Sequence, residues 1–278
     1  MLPAGEVRLT VSGTSDTGSI RAVNEDSFIA EFPLFLVADG MGGHARGDQA
    51  SQTAAATLRS HLVGETLPTP AQVLTAISAA NDAVIALSAE SGDQKLSGTT
   101  IAGVVAVLTT DGHSAHWMAF NVGDSRIYSW NGRHLEQLSV DHSAVQELVD
   151  AGLLTDAAAR EHPDRNVITR AIGAQLDVDA DVWLLPISSA QTFLLCSDGL
   201  TKELDDDEIA LQLSAHGAAP SSSNISETLV EAAINAGGRD NVTVVVVASS
   251  LEGAEVDTEN TNERGMRMRD LEDTTPRA

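Results

Sequence analysis

The chain has 278 residues, 42% of them hydrophobic and 20% charged, with a formal net charge of −24. That length supports one large core or two small ones, and the charge argues against nucleic acid or an anionic membrane surface, both of which need a basic face. The acidity either serves solubility alone or reflects carboxylates gathered to attract cations.

The first residues, MLPAGEVRLT, lack the basic start and apolar core of a signal peptide. No apolar run reaches the roughly 20 residues of a membrane span. A cytoplasmic protein with no membrane partner is therefore expected. Val7 to Val11 alternates as a half-exposed strand does. A polar stretch from Ser15 to Ser27 follows, carrying Arg21, Glu25 and Asp26. It reads either as a surface turn with a salt bridge or as a phosphate-binding cation beside metal-binding acids. Ser27 to Phe32 alternates again. Leu34 to Ala38 is a continuous apolar run, as in a strand buried on both faces. Asp39 follows it directly, then Gly40, Gly42 and Gly43, which let the backbone turn sharply or approach a ligand. His44 sits on that loop. Taken alone, Asp-Gly is most often an ordinary turn.

Two helices come next. Ala50, Ala54, Leu58 and Leu62 recur every four residues, and Val73, Ile77, Ala80, Val84 and Leu87 form one apolar face. Thr69 is placed to cap the second, ahead of Pro70. Ile101 to Leu108 and His113 to Val122 are strands, the latter ending in Gly123-Asp124. Ile127 to Trp130 and Arg133 to Leu138 form a hairpin about Asn131-Gly132, a pair suited to a tight turn. Asp141 or Ser143 caps a helical segment, and 141–173 reads as a mobile flap at the edge of a site. Val182 to Ile187 and Thr192 to Cys196 are further strands. Cys196, the lone cysteine, reads as buried filler rather than a nucleophile, and permits no internal disulfide. Ser197-Asp198-Gly199 repeats the arrangement at Asp39. The acids at 205–208 suit a helix start, so they are not counted as a metal site. A helix from Ser226 to Ala236 leads to Asp240 and a Val-rich strand, Val242 to Ala248. From Leu251 on, the composition is polar and aperiodic, as in a disordered tail.

Asp39, Asp198 and Asp240 thus lie at ends of buried strands, with Asp124 at the end of a fourth. Clustered carboxylates repel and need a compensating cation. An all-oxygen set without the Cys and His pattern of zinc favours Mg²⁺ or Mn²⁺. Two such ions orient a phosphate for in-line attack, with a cation such as Arg21 on the phosphoryl oxygens. No Walker loop or kinase signature is present, which favours phosphate hydrolysis over nucleotide-driven transfer.

The chain resembles the bacterial metal-dependent serine/threonine protein phosphatases (the PPM or type 2C family). The matching segments are SDTGSIRAVNEDS, VADGMGGHARG, SGTT, NVGDSRIY, DHS, HPDRNVITRAIG, CSDGLT and GGRDNVTVVV, in family order from about Val7 to Ser249. The resemblance implies an α+β fold: two antiparallel sheets packed as a sandwich between helical layers, with a catalytic domain over residues 1–250. It implies a phosphatase acting on phosphoserine and phosphothreonine by direct attack of a hydroxide bridging two Mn²⁺ or Mg²⁺ ions. By the same resemblance Asp39 and the Gly40 carbonyl bind metal, with Asp198 and Asp240 on the second ion. Glu25 reaches a metal through water, and Asp26 supports the water shell. Arg21 binds phosphate. Asp124 and Asp198 hold a weaker third ion, near Asn166. The family's animal members carry a histidine where Met41 stands, so His44 is the candidate acid. Lys202 is expected to lower the site's negative potential. The expected partners are phosphoproteins of a cognate kinase, and a monomer is expected. The rival readings are a catalytically silent phosphatase-like binding module and a different metallohydrolase such as a phosphodiesterase.

Overall fold

The computed structural model describes residues 7–42, 46–90, 97–109, 112, 114–187, 190–218 and 224–251. His44 and the polar tail beyond Leu251 lie outside the described residues. The strands are β1 (Val7–Asp16), β2 (Asp26–Glu31), β3 (Leu34–Met41), β4 (Gly98–Thr99), β5 (Ile101–Leu108), β6 (Ala115–Val122), β7 (Arg126–Trp130), β8 (Leu135–Gln137), β9 (Asp181–Pro186), β10 (Ala190–Cys196) and β11 (Val242–Leu251). The helices are α1 (Gly47–Leu62), α2 (Pro70–Glu90), α3 (Ala144–Asp150), α4 (Asp156–Glu161), α5 (Asp198–Thr201), α6 (Asp206–Ala218) and α7 (Ile225–Ala236).

The strands form two sheets with antiparallel pairing throughout. One runs β1-β11-β10-β7-β8; the other runs β2-β3-β5-β6-β9, with β4 pairing to β3. The apolar strands supply both faces of each sheet because side chains alternate. On β3, Phe35 and Val37 enter the core between the sheets, with Trp117, Phe193, Val245 and Val247. Leu34, Leu36 and Ala38 face the other way, under α1 and α2. The second sheet mirrors this: Leu194, Cys196, Val244 and Val246 pack under α6 and α7. The expected sandwich between helical layers is what the chain builds.

Local capping follows the sequence. Thr69 and Gln72 cap α2 reciprocally: the Thr69 N–H donates to Gln72 Oε1 at 2.8 Å, and the Gln72 N–H donates back to Thr69 Oγ1 at 3.4 Å. Asp205 and Glu208 do the same at α6, both at 2.9 Å. The window Pro70–Leu87 of α2 is long and apolar enough, by length and composition, to cross a membrane, with a hydropathy of 1.2. Its alanines raise that average, while Val73, Ile77, Ala80 and Val84 pack in the core under the sheet.

Two expectations are corrected, and one pair of alternatives is decided. β1 runs on to Asp16, because its Ser, Thr and Gly residues pair along the Val-rich β11, Asp16 opposite Val242. The β7–β8 connection is wider than a two-residue turn, since Trp130 pairs with Leu135. There the Asn131 side chain accepts from the N–H groups of Arg133 and His134 at 3.0 and 2.8 Å, widening the loop. Asp141 does not cap α3; Ser143 does, accepting from the Gln146 N–H at 3.3 Å.

Candidate metal and phosphate site

β3 does not stop before Asp39 but carries it, through Met41. Asp39 faces Asp26 as its register partner on β2. Its backbone is clamped: the Asp39 N–H donates to Thr100 Oγ1 at 3.0 Å, and Thr99 Oγ1 donates to the Asp39 carbonyl at 2.9 Å. Thr100 in turn is hydrogen-bonded to Ser125 at 2.6 Å. The SGTT and GDS segments therefore hold the Asp39 backbone between them. Gly40 is needed by space: a Cβ there would meet the Gly47 carbonyl oxygen at 2.1 Å.

Asp198 opens α5 immediately beyond β10. Gly199 after it lies against the Asn241 carbonyl, where a Cβ would come within 1.9 Å. That close approach brings the Asp198 and Asp240 segments together. The Asp198 and Asp39 carboxyls act on each other: Asp198 raises Asp39, and Asp39 lowers Asp198 against the burial that raises it. Lys202 joins Asp198 to Asp240: its Nζ contacts Asp198 Oδ2 and lies 2.9 Å from Asp240 Oδ2. Arg21 grips Asp240 from the other side, Nη2 to Oδ2 at 2.9 Å and Nε to Oδ1 at 2.8 Å. The four chain regions holding Arg21, Asp39, Asp198 and Asp240 thus meet at one place.

The remaining acids surround this group. The Glu25 carboxylate accepts from the Gly47 N–H at the start of α1, a position the helix dipole favours for an acid. Asp26 is buried, and its Oδ2 accepts from Thr243 Oγ1 at 2.6 Å and Ser197 Oγ at 2.8 Å. Asp124 is buried at the end of β6. Burial and mutual repulsion raise these groups. Asp26 is pushed up to about 7, first by burial, against the hydrogen bonds from Thr243 and Ser197. Asp124 is pushed up to about 7 by burial and then by Asp198. Asp39 is raised well above its ordinary value by burial, then by Asp26 and Asp198. Asp240 goes the other way: burial would raise it, but Lys202 and Arg21 outweigh that and hold it low.

Among the described residues, no three His, Cys, Asp or Glu side chains form a ready-made cation shell. Lys202 and Arg21 instead occupy oxygens of Asp198 and Asp240. Two observations nevertheless fit divalent ions here. The donors are all oxygen, as hard cations prefer. Asp26 Oδ1 and Asp124 Oδ1 are buried with no hydrogen-bond partner, a costly state that a nearby cation relieves.

A cleft of about 1080 Å³ borders the Asp124, Asp198, Lys202 and Asp240 side of the site and is lined also by Arg165 and Asn166. The 141–173 segment carries those last two residues. It is tied down at its base: the Thr169 N–H donates to the His142 carbonyl at 2.8 Å, and the N–H groups of Thr99 and Ile172 donate to each other's carbonyls at 3.1 and 2.9 Å. Asn166 is exposed and lines the same cleft as Asp124.

Sequence reasoning gave no role to two residues that hold the site. Asn241 accepts from the Glu25 N–H at 2.9 Å and donates to the Thr17 and Val23 carbonyls at 2.9 and 3.0 Å. It pins the loop that carries Arg21. His142 accepts the Gly123 N–H on Nδ1 at 3.1 Å, next to Asp124, and its Nε2 lies 3.5 Å from Asp181 Oδ2. The contact with His142 helps hold Asp181 down at about 2. Both residues stood inside matched motifs, next to Asp240 and next to Asp141, which was the only signal available. Cys196 is buried, and burial pushes its thiol up to about 12, as filler requires.

Residues 20–236 match the protein phosphatase 2C family. The serine/threonine protein phosphatase PstP of Mycobacterium tuberculosis is 36% identical over 245 residues, covering 86% of this chain. The match spans 44% of PstP, so this chain corresponds to less than half of that relative's length. The serine/threonine phosphatase stp of Listeria monocytogenes is 34% identical over 247 residues, covering 85% of this chain and 94% of stp. Among solved structures, the PstP catalytic domain in complex with two manganese ions superposes with a TM-score of 0.74 at 33% identity, covering 88% of this chain and 100% of that one. With the order of its motifs, its two-sheet sandwich and the meeting of its acids all in agreement, the chain belongs to the protein phosphatase 2C family.

Proposed function

We propose that this chain is a metal-dependent protein phosphatase that hydrolyses phosphoserine and phosphothreonine in proteins. The observation that carries the reading is the chain of interactions from Asp39 to Asp198 to Lys202 to Asp240 to Arg21. It collects acids and two cationic side chains from distant parts of the sequence, with Asp198, Lys202 and Asp240 lining a cleft.

Asp39, the Gly40 carbonyl, Asp198 and Asp240 are the proposed ligands of two Mn²⁺ or Mg²⁺ ions, with Glu25 acting through water. Asp124 is the proposed ligand of a weaker third, shared with Asp198. When bound, such ions activate water and neutralise the charge that develops on the phosphoryl group. The protein's own work is positional. The Thr99–Thr100 clamp fixes the Asp39 backbone, and Asn241 fixes the loop carrying Arg21. Arg21, half-exposed and facing the acids, is the proposed binder of the phosphoryl oxygens. His44 is the candidate proton donor to the leaving serine or threonine oxygen.

Residues 1–250 are read as the catalytic domain, with 141–173 as the substrate-facing wall and the remainder as a polar tail. A cytoplasmic monomer acting on the products of a partner serine/threonine kinase is the setting this reading implies. The test is phosphate release from a phosphothreonine peptide with Mn²⁺ present. Asp39→Ala and Asp198→Ala are expected to abolish it and a chelator to silence the parent protein; unchanged turnover in both variants rejects the mechanism.

A further inference from the structure

Lys202 stands one helical turn beyond Asp198, and its backbone N–H donates to the Asp198 carbonyl at 2.8 Å. This turn points the ammonium at the two acids. It contacts Asp198 Oδ2 and lies 2.9 Å from Asp240 Oδ2. Arg21 shares that same Asp240 oxygen and also takes Oδ1. The Lys202 ammonium, an ordinary lysine cation, faces these carboxylates directly. It is about a third exposed, on the cleft side.

A carboxylate oxygen engaged by an ammonium is not free to face a divalent ion. We propose that Lys202 is a built-in counter-ion of the Asp198–Asp240 pair, which competes with one divalent ion and thereby sets the affinity of that site. The inference rests on the reading of Asp198 and Asp240 as ion ligands. In the metal-free protein Lys202 offsets the repulsion among the buried acids. For an ion to coordinate both acids directly, the ammonium must leave, and its charge-assisted hydrogen bonds are lost. The cleft gives it a solvated place to go. Lys202 therefore acts with opposite sign on two measurable quantities: it stabilises the metal-free fold and weakens metal binding.

The test is calorimetric titration of the chelator-stripped chain of residues 1–278 with MnCl₂, beside thermal melts of the same metal-free samples. Lys202→Met is expected to tighten one of the binding events by roughly tenfold while lowering the metal-free melting temperature. Lys202→Gln is expected to follow it, so that the outcome does not hang on one variant's folding. Lys202→Arg keeps the charge and is expected to stay close to the parent. Mn²⁺ binding by the parent with equal or weaker binding in the Met and Gln variants overturns this inference alone. No Mn²⁺ binding by any of the proteins overturns it together with the metal reading beneath it.

Discussion

Asp39 and Asp26 face each other across β3 and β2 as register partners, two acids where one sheet would ordinarily place an acid beside a base. Asp26 raises the proton affinity of Asp39 on top of what burial does, so that Asp39 stands well above its usual value, while Asp26 itself rises to about 7, first by burial and then by Asp198 and Asp240. This relationship makes the metal-free site a point of stored repulsion. Asp39→Asn removes one of the opposed charges at constant shape. The variant is expected to melt higher than the parent without metal, by about 2–4 °C for each kcal/mol of relieved repulsion, and to lose Mn²⁺-dependent turnover. Metal-free melts near pH 7.5 check the first half.

The pH dependence of the metal-free protein follows from the same shifts. Asp26 and Asp124 have folded values of about 7, above those of an unfolded carboxyl. Between about pH 4 and 7 the folded state holds protons there that the unfolded chain has released, so its stability falls as pH rises through this window. Melting temperature with chelator present is expected to increase from pH 7.5 down to pH 5.5. Saturating Mn²⁺ should flatten that slope, because a divalent ion beside these acids favours their ionised form.

Metal binding must therefore displace protons. Titration with Mn²⁺ near pH 6.5, repeated in buffers of different ionisation enthalpy, is expected to show net proton release, falling toward zero by pH 8.5. Equal apparent heats in all buffers at pH 6.5 would remove the claim that Asp26 and Asp124 hold protons before the ion arrives.

His142 links the third-metal candidate to the cleft wall. Its ring accepts the Gly123 N–H beside Asp124, and its backbone carbonyl accepts from Thr169. Gly123 has φ of 109°, which favours glycine, so its N–H direction is set by the turn and needs this acceptor. His142→Ala leaves a buried N–H unpaired and is expected to cost about 1–3 kcal/mol of stability. It should also lower turnover by misplacing Asp124. His142→Gln, which retains an acceptor, should recover part of both. Melting temperature and kcat are the two readouts.

Asn241→Ala is the matching test for the Arg21 loop. Three backbone groups, of Thr17, Val23 and Glu25, lose their partner. KM for a phosphopeptide should rise more than kcat falls, because the loop positions Arg21 as a binding group, while the direct ion ligands Asp39, Asp198 and Asp240 lie outside it.

What was legible in the sequence was whatever local pattern dictates. The unbroken run Leu34 to Ala38 had to be a strand buried on both faces, and Asp39 and Asp198 had to sit at a sheet rim. The apolar faces of α1 and α2 had to be covered. Long-range pairing was not legible. β1 extends through Ser and Thr residues only because β11 lies beside it, 226 positions on from Asp16 to Val242. Lys202 was expected to temper the charge, but its bridging of Asp198 and Asp240 depends on Gly199 bringing α5 against Asn241. His142 and Asn241 read as ordinary polar residues, because their partners are backbone groups that folding alone brings near.

The central claim is that Asp39, Asp198 and Asp240 jointly hold divalent ions. Anomalous diffraction at the manganese edge, from crystals of this chain grown with Mn²⁺, tests it most directly. The account predicts two strong peaks touching these three carboxylates, with Lys202 turned away from Asp198 and Asp240. Manganese bound elsewhere, or no peak between these acids with Lys202 still bridging them at full Mn²⁺, would contradict it.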